Sequence, residues 1–159
     1  AVALSHGRIV TILSAGNDAA KSFTVVGTDV NGDAQTESIT GANAGTATGT
    51  TYFLTIASIT AVGNPAGNVS AGVNASAADV IFAGRSRLKG IYLTSTATAG
   101  TVDFLNSSPS GTSIMGLSSV GDADATRDVV IPEEGVVFSN GIYVEYTVST
   151  FLTMTVFHA

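Results

Sequence analysis

The sequence predicts an all-β protein, and three observations carry that reading. Apolar and polar residues alternate with period two in short runs, which gives an extended chain one apolar side. Gly, Asn, Asp or Pro interrupt the runs every ~8–12 residues, where turns need them. No segment repeats apolar residues at helical spacing; only Asn74 to Asp79 has the composition for a single helical turn. The pattern fits two small antiparallel β-sandwich or barrel-like modules, residues 1–83 and 84–159, or one jelly-roll-like sandwich.

The first strand is Arg8 to Leu13, in which Ile9, Thr11 and Leu13 alternate with Arg8, Val10 and Ile12. Ser22 to Thr28 and Ala34 to Thr40 flank Asn31-Gly32, a type I′ hairpin signal because both central residues of that turn need positive φ. Two-residue closure sets Val26 opposite Glu37 and Phe23 opposite Thr40. Gly41 to Thr50 reads as loop or weak edge, and Thr51 to Val62 as a long strand. Gly63 to Gly67 is a turn, followed by Asn68 to Val73 and Asp79 to Phe82. The modules join near Phe82 to Arg85.

In the second half Arg85, Arg87 and Lys89 alternate, yet Ile91 and Leu93 continue the same side, so a bulge at Gly90 is one resolution. Thr101 to Leu105, Ser113 to Leu117, Arg127 to Ile131 and Val136 to Phe138 follow as strands. Asn140-Gly141 is a second type I′ signal before Ile142 to Val148. The last run, Phe151 to Phe157, places Leu152, Met154 and Val156 on one face.

Composition narrows the function. Hydrophobic residues make up 45% of the 159, enough for a packed core, while charged residues make up 11%, against ~25% in ordinary soluble domains. The net charge of −6 repels phosphate backbones and argues against a nucleic-acid partner. No apolar run approaches the ~18 residues of a membrane-crossing helix, so no membrane partner is expected. The absence of Cys removes disulfides, thiolate catalysis and cysteine metal sites. The absence of Trp, with only four Tyr, leaves no stacking platform for sugars or bases. A surface this poor in charge suits a component covered by copies of itself or by another protein.

Few residues suggest chemistry. Asp29-x-Asn31-x-Asp33 copies the first ligand positions of a calcium loop, but the sixth and twelfth positions are Ala34 and Thr40 where Gly and Glu are needed. A capped turn explains it better. Asp122, Asp124, Asp128, Glu133 and Glu134 form a weak cation candidate, with a solvated acidic loop as the plainer reading. His6 and His158 are too few for an imidazole zinc site. Gly116 to Gly121 lacks the spacing of a nucleophile elbow, and Glu133-Glu134 are adjacent and point apart on an extended chain. No enzyme, cofactor or metal is expected. Arg85, Arg87 and Lys89 read either as a docking stripe or as protection of a sheet edge. With the N-terminal arm, Val2, Leu4 and His6, they are the candidate interface residues.

Ser22-Phe23-Thr24-Val25-Val26-Gly27-Thr28-Asp29-Val30-Asn31-Gly32-Asp33, continuing through Gly41, resembles a phrase of virion structural proteins of tailed bacteriophages. So do Tyr52 to Thr60 and Gly135 to Val144. The resemblance implies a structural role on the particle, as in small all-β capsid decoration (cement) proteins. It implies a homo-oligomer, with a trimer favoured, bound to the major capsid protein on the virion surface. Tail, collar or host-adhesion modules share this texture and are the alternative.

Overall fold

The computed structural model describes residues 1–159, and none is helical. Twelve strands form two antiparallel sheets. They are β1 (Val2–Ser14), β2 (Ser22–Thr28), β3 (Ala34–Thr40), β4 (Thr46–Val62), β5 (Val69–Phe82) and β6 (Ser86–Ser95). Then come β7 (Gly100–Asn106), β8 (Thr112–Ser119), β9 (Thr126–Val130), β10 (Val136–Phe138), β11 (Ile142–Thr147) and β12 (Phe151–His158). The chain divides into two compact units, Ala1–Asn74 and Ala75–Ala159. The boundary lies within β5, not at the Phe82 to Arg85 joint expected from sequence.

In the first unit the strand order is β3-β2-β4-β1, followed by the first part of β5. Alternate residues turn inward and build a core of Val10, Ile12, Phe23, Val25, Ile39 and Phe53. β4 serves two neighbours: Thr46 to Ile56 pair with β1, and Thr55 to Val62 pair with β2. Two polar side chains on edge strand β3 reach the backbone of β4. The Gln35 amide donates to the Tyr52 carbonyl, and a Glu37 carboxylate oxygen accepts the Thr50 N–H at 2.6 Å. Since β2 lies between β3 and β4 in the hydrogen-bonded order, these links draw the sheet around its core.

The β2–β3 hairpin differs from its expected register by one residue. Thr28 faces Ala34, Val25 faces Glu37 and Phe23 faces Ile39. The Asp29 N–H donates to the Asp33 carbonyl, enclosing a three-residue loop in which Gly32 alone has positive φ, at +88°. This is the longer loop that puts one left-handed residue after a turn, so Asn31 needs no positive φ.

Three further expectations change in this unit. Residues Val2 to His6 are no arm but the start of β1, with Val2 facing Ile56 and Ala3 facing Thr55. The loop after Gly41 ends sooner than expected, since Thr46 to Thr50 belong to β4 and Ala47 pairs with Ile12. The stretch Asn74 to Asp79 forms no helical turn; it continues β5, and Ala77 and Ala78 are fully buried. Pairing of Ser76 to Phe82 with β11 overrides the local helical preference of alanine.

The second unit is a two-layer sandwich. One layer orders the later part of β5, then β11, β7 and β8; in the other, β6 is flanked by β12 on one side and by β9 and β10 on the other. Leu88, Ile91 and Leu93 of β6 meet Val102, Phe104, Phe138, Ile142 and Val144 in the core. Leu88 and Ile91 lie three apart, an odd spacing that one regular strand cannot turn to the same side. The register against β12 slips there, with Phe157 facing Gly90 and His158 facing Leu88. Lys89 is the extra residue, so the change of phase falls at Lys89-Gly90.

Asn140-Gly141 makes no hairpin. β10 pairs with β6 and β11 pairs with β5 and β7, so the chain crosses here from one layer to the other. At the chain end a register slip between Phe151 and Thr153 leaves Leu152 57% exposed, while Phe151, Met154 and Val156 pack on the core. The expected Leu152 face is therefore broken at its first residue.

Two glycines separate steric need from backbone need. A Cβ on Gly27 would lie 1.9 Å from the Thr55 carbonyl oxygen, whereas one on Gly32 would meet nothing within 4 Å but would sit at positive φ. Gly27→Ala is expected to lower unfolding stability by about 2–4 kcal/mol and Gly32→Ala by about 1 kcal/mol. Urea midpoints measure both, and equal losses would contradict the distinction.

Candidate interaction surfaces

Of the polar side chains singled out from sequence, Arg87, Lys89 and Asp29 are engaged with the protein's own backbone. Arg87 and Lys89 lie on β6, and Arg85 is exposed in the turn before it. Lys89 Nζ donates to the Glu133 carbonyl at 2.8 Å, and Arg87 Nη1 to the Glu134 carbonyl at 3.2 Å. These two cations hold the turn from Pro132 to Gly135, in which Glu133 and Gly135 both take positive φ. The Arg87–Glu134 ion pair is long at 3.9 Å, and Glu134 is 83% exposed, so it adds little. Because β6 is the central strand of its sheet, edge protection does not explain the stripe. The sequence does carry a signal for this arrangement: alternating cations on one strand and an acidic Pro-Glu-Glu-Gly turn later in the chain.

The acidic group is dispersed. Asp122 and Asp124 lie where the chain turns against Ser95, whose Oγ donates to the Asp122 carbonyl at 3.0 Å. The Asp124 N–H donates to the Ser95 carbonyl at 2.9 Å. Glu133 and Glu134 sit beside Lys89 and Arg87, and six residue steps along the strand carry it from Lys89 to Ser95, about 20 Å. Asp128 lies between them on β9, opposite Tyr92. No three His, Asp or Glu side chains converge anywhere in the chain.

The Asp29 carboxylate is occupied by its own loop. Its Oδ1 accepts the Asn31 N–H at 2.8 Å and the Asp33 N–H at 2.9 Å, and its Oδ2 accepts from the Asn31 side chain at 3.3 Å. The aspartate is thus the cap of a turn.

His158 lies at the end of β12, with its Nδ1 3.2 Å from Ser86 Oγ and its ring 5.2 Å from that of Phe82. The Ser86 hydroxyl donates to the Ala159 carbonyl at 3.1 Å, so its single proton is committed there and His158 Nδ1–H is the donor to Oγ. The pair ties the strand end to β6, where Arg87 and Ala159 also exchange both backbone hydrogen bonds. Of the N-terminal candidates, Val2 is 60% exposed, while Leu4 and His6 are half-buried.

Sequence reasoning passed over Asp18, because Gly16-Asn17-Asp18 reads as ordinary turn chemistry. The residue is fully buried where three loops of the first unit converge. Its Oδ1 accepts the Ala66 N–H at 2.7 Å, its N–H donates to the Ala42 carbonyl at 3.0 Å, and its carbonyl accepts the Lys21 N–H at 2.8 Å. A Cβ on Gly16 would be 2.8 Å from the Ala66 backbone and one on Gly41 would be 2.6 Å from the Asp18 carbonyl oxygen, so both positions need glycine.

The exterior carries little charge. On the outer side of β3-β2-β4, successive rows across the strands read Ser38-Thr24-Thr60 and Thr36-Val26-Ser58. On the outer side of the second unit's β9-β6-β12 sheet, Val130, Gly90 and Phe157 stand in one row, with Val130 76% and Phe157 54% exposed. Compared with protein-family models, curated proteins and solved structures, the chain matches none.

Two aspartates serve as tests. Asp29→Ala is expected to cost about 1 kcal/mol, since the exposed loop amides it serves can turn to water, and Asp18→Ala about 2–3 kcal/mol, since it removes a fully buried side chain that holds the Ala66 N–H. Chemical denaturation of both variants measures the difference, and calcium added to the unaltered protein is expected to leave Tm unchanged.

Proposed function

We propose that the chain is a non-enzymatic structural component of a tailed-phage particle. In this reading it is a decoration protein that binds the outer surface of the major capsid protein shell and stabilises it. The uncharged rows on the outer side of β3-β2-β4 carry the proposal. Hydroxyl, methyl and valine groups alternate on them, and such a surface adheres by burial, with little side-chain entropy lost because the groups are short. The sequence resemblance of Ser22 to Gly41 and Gly135 to Val144 to virion proteins supports the same reading.

The exposed Arg85 is the most available of the candidate contact cations, since Arg87 and Lys89 already hold a turn. Adhesion therefore rests on apolar and hydroxyl surface, with Arg85 and Val2 as exposed candidate contacts. No cofactor enters this role.

A protein inventory of purified particles tests the proposal. The chain is expected at hundreds of copies per particle, on the shell, and its loss is expected to make particles less resistant to heat. A handful of copies means a tail, collar or host-adhesion position instead, and absence from intact particles ends the virion reading.

A further inference from the structure

We infer that β12 is a self-pairing edge, at which two copies of this chain join their sheets antiparallel about Thr155. The inference concerns the purified chain and does not depend on the particle reading.

The other sheet edges each carry a device that resists pairing. β3 holds the carboxylate of Glu37 on its inner side, fixed to the Thr50 N–H, and an inward charge is a recognised edge guard. β8 has a glycine, Gly116, at its middle, which weakens a strand, and its register against β7 slips at Phe104/Leu105. β9 and β10 are short, five and three residues, and β9 carries Arg127 and Asp128.

β12 shares a register slip with β8 but carries none of the other devices. From Phe151 to Phe157 it contains no charge, no Gly and no Pro. It pairs only with β6, so its far side presents a row of backbone N–H and C=O groups. Its pairing with β6 slips at both ends, between Phe151 and Thr153 and between Phe157 and His158, and Thr153 to Phe157 stay in register.

The strand is also complementary to itself. An antiparallel two-fold places Thr155 opposite Thr155 of the second copy, Met154 opposite Val156, and Thr153 opposite Phe157. Every pair then matches by face. Met154 and Val156 pack half-buried at the margin of the core and would extend it across the junction, while Thr153, Thr155 and Phe157 are exposed and stay on the outer side. A net charge of −6 makes two copies repel in general, and this edge is a place where they can approach without apposing like charges. The occupant that fits is therefore a second copy, in the isologous two-fold arrangement commonest among oligomers.

Light scattering and sedimentation of the purified chain test this, with Thr155→Lys and Thr155→Glu as variants. The unaltered protein is expected at twice the 15.9 kDa chain mass. Either variant alone sets two like charges directly opposite and is expected to weaken dimerisation at least about tenfold. Thr155 is exposed, so the circular dichroism of each variant is expected to match the unaltered protein. Mixing the two variants is expected to restore the dimer, because lysine then faces glutamate. A protein that is monomeric, one that is trimeric, or a dimer indifferent to charge at Thr155 would each overturn the inference. So would two folded variants that fail to rescue one another.

Discussion

A chain without helices must satisfy its backbone by pairing strands, and that constraint organises this protein. Within strands, neighbours supply the partners. At the turns they are missing, and the few polar side chains supply them. Asp29 caps one hairpin, Asp18 gathers three loops, Lys89 and Arg87 hold the Pro132 to Gly135 turn, and Ser95 holds Asp122. The small number of charges is thus coherent with the architecture: those engaged here keep the main chain hydrogen-bonded where it leaves a sheet.

The two units reach a closed core by different routes. In the first, β4 pairs with β1 and β2 in turn, and Gln35 and Glu37 tie β3 back to it. In the second, two layers face one another, and β6 supplies core residues on both sides of a change of phase at Lys89-Gly90. That slip lets one strand present Arg87 and Lys89 to a turn and still deliver Ile91 and Leu93 to the core.

The sequence displays what depends on neighbours along the chain. Strand content, most turn positions and the conflict of phase at Gly90 could be read because period-two alternation and turn residues are local signals. What could not be read depends on distant partners. Asn140-Gly141 has the composition of a hairpin, yet β10 and β11 go to different layers, which only the pairing with β6 and β5 decides. The continuity of β5 through Asn74 to Asp79 requires β11 as a template. The one-residue error at Asn31-Gly32 arose because the same dipeptide serves two loop lengths. Of the candidate residues, the cations were visible, but their engagement with Glu133 and Glu134 requires β9 and β10 to flank β6. Asp18 was hidden because a turn aspartate and a buried one look alike until the loops around it are placed.

The rows of threonine, serine and valine on the outer side of β2, β3 and β4 also fix how a contact made there would respond to its surroundings. Electrolyte attenuates attraction between ions, and this surface offers none to attenuate. Adhesion by such a face persists from dilute water to brine and loses strength mainly on cooling, as the entropic drive to shed hydrating water declines.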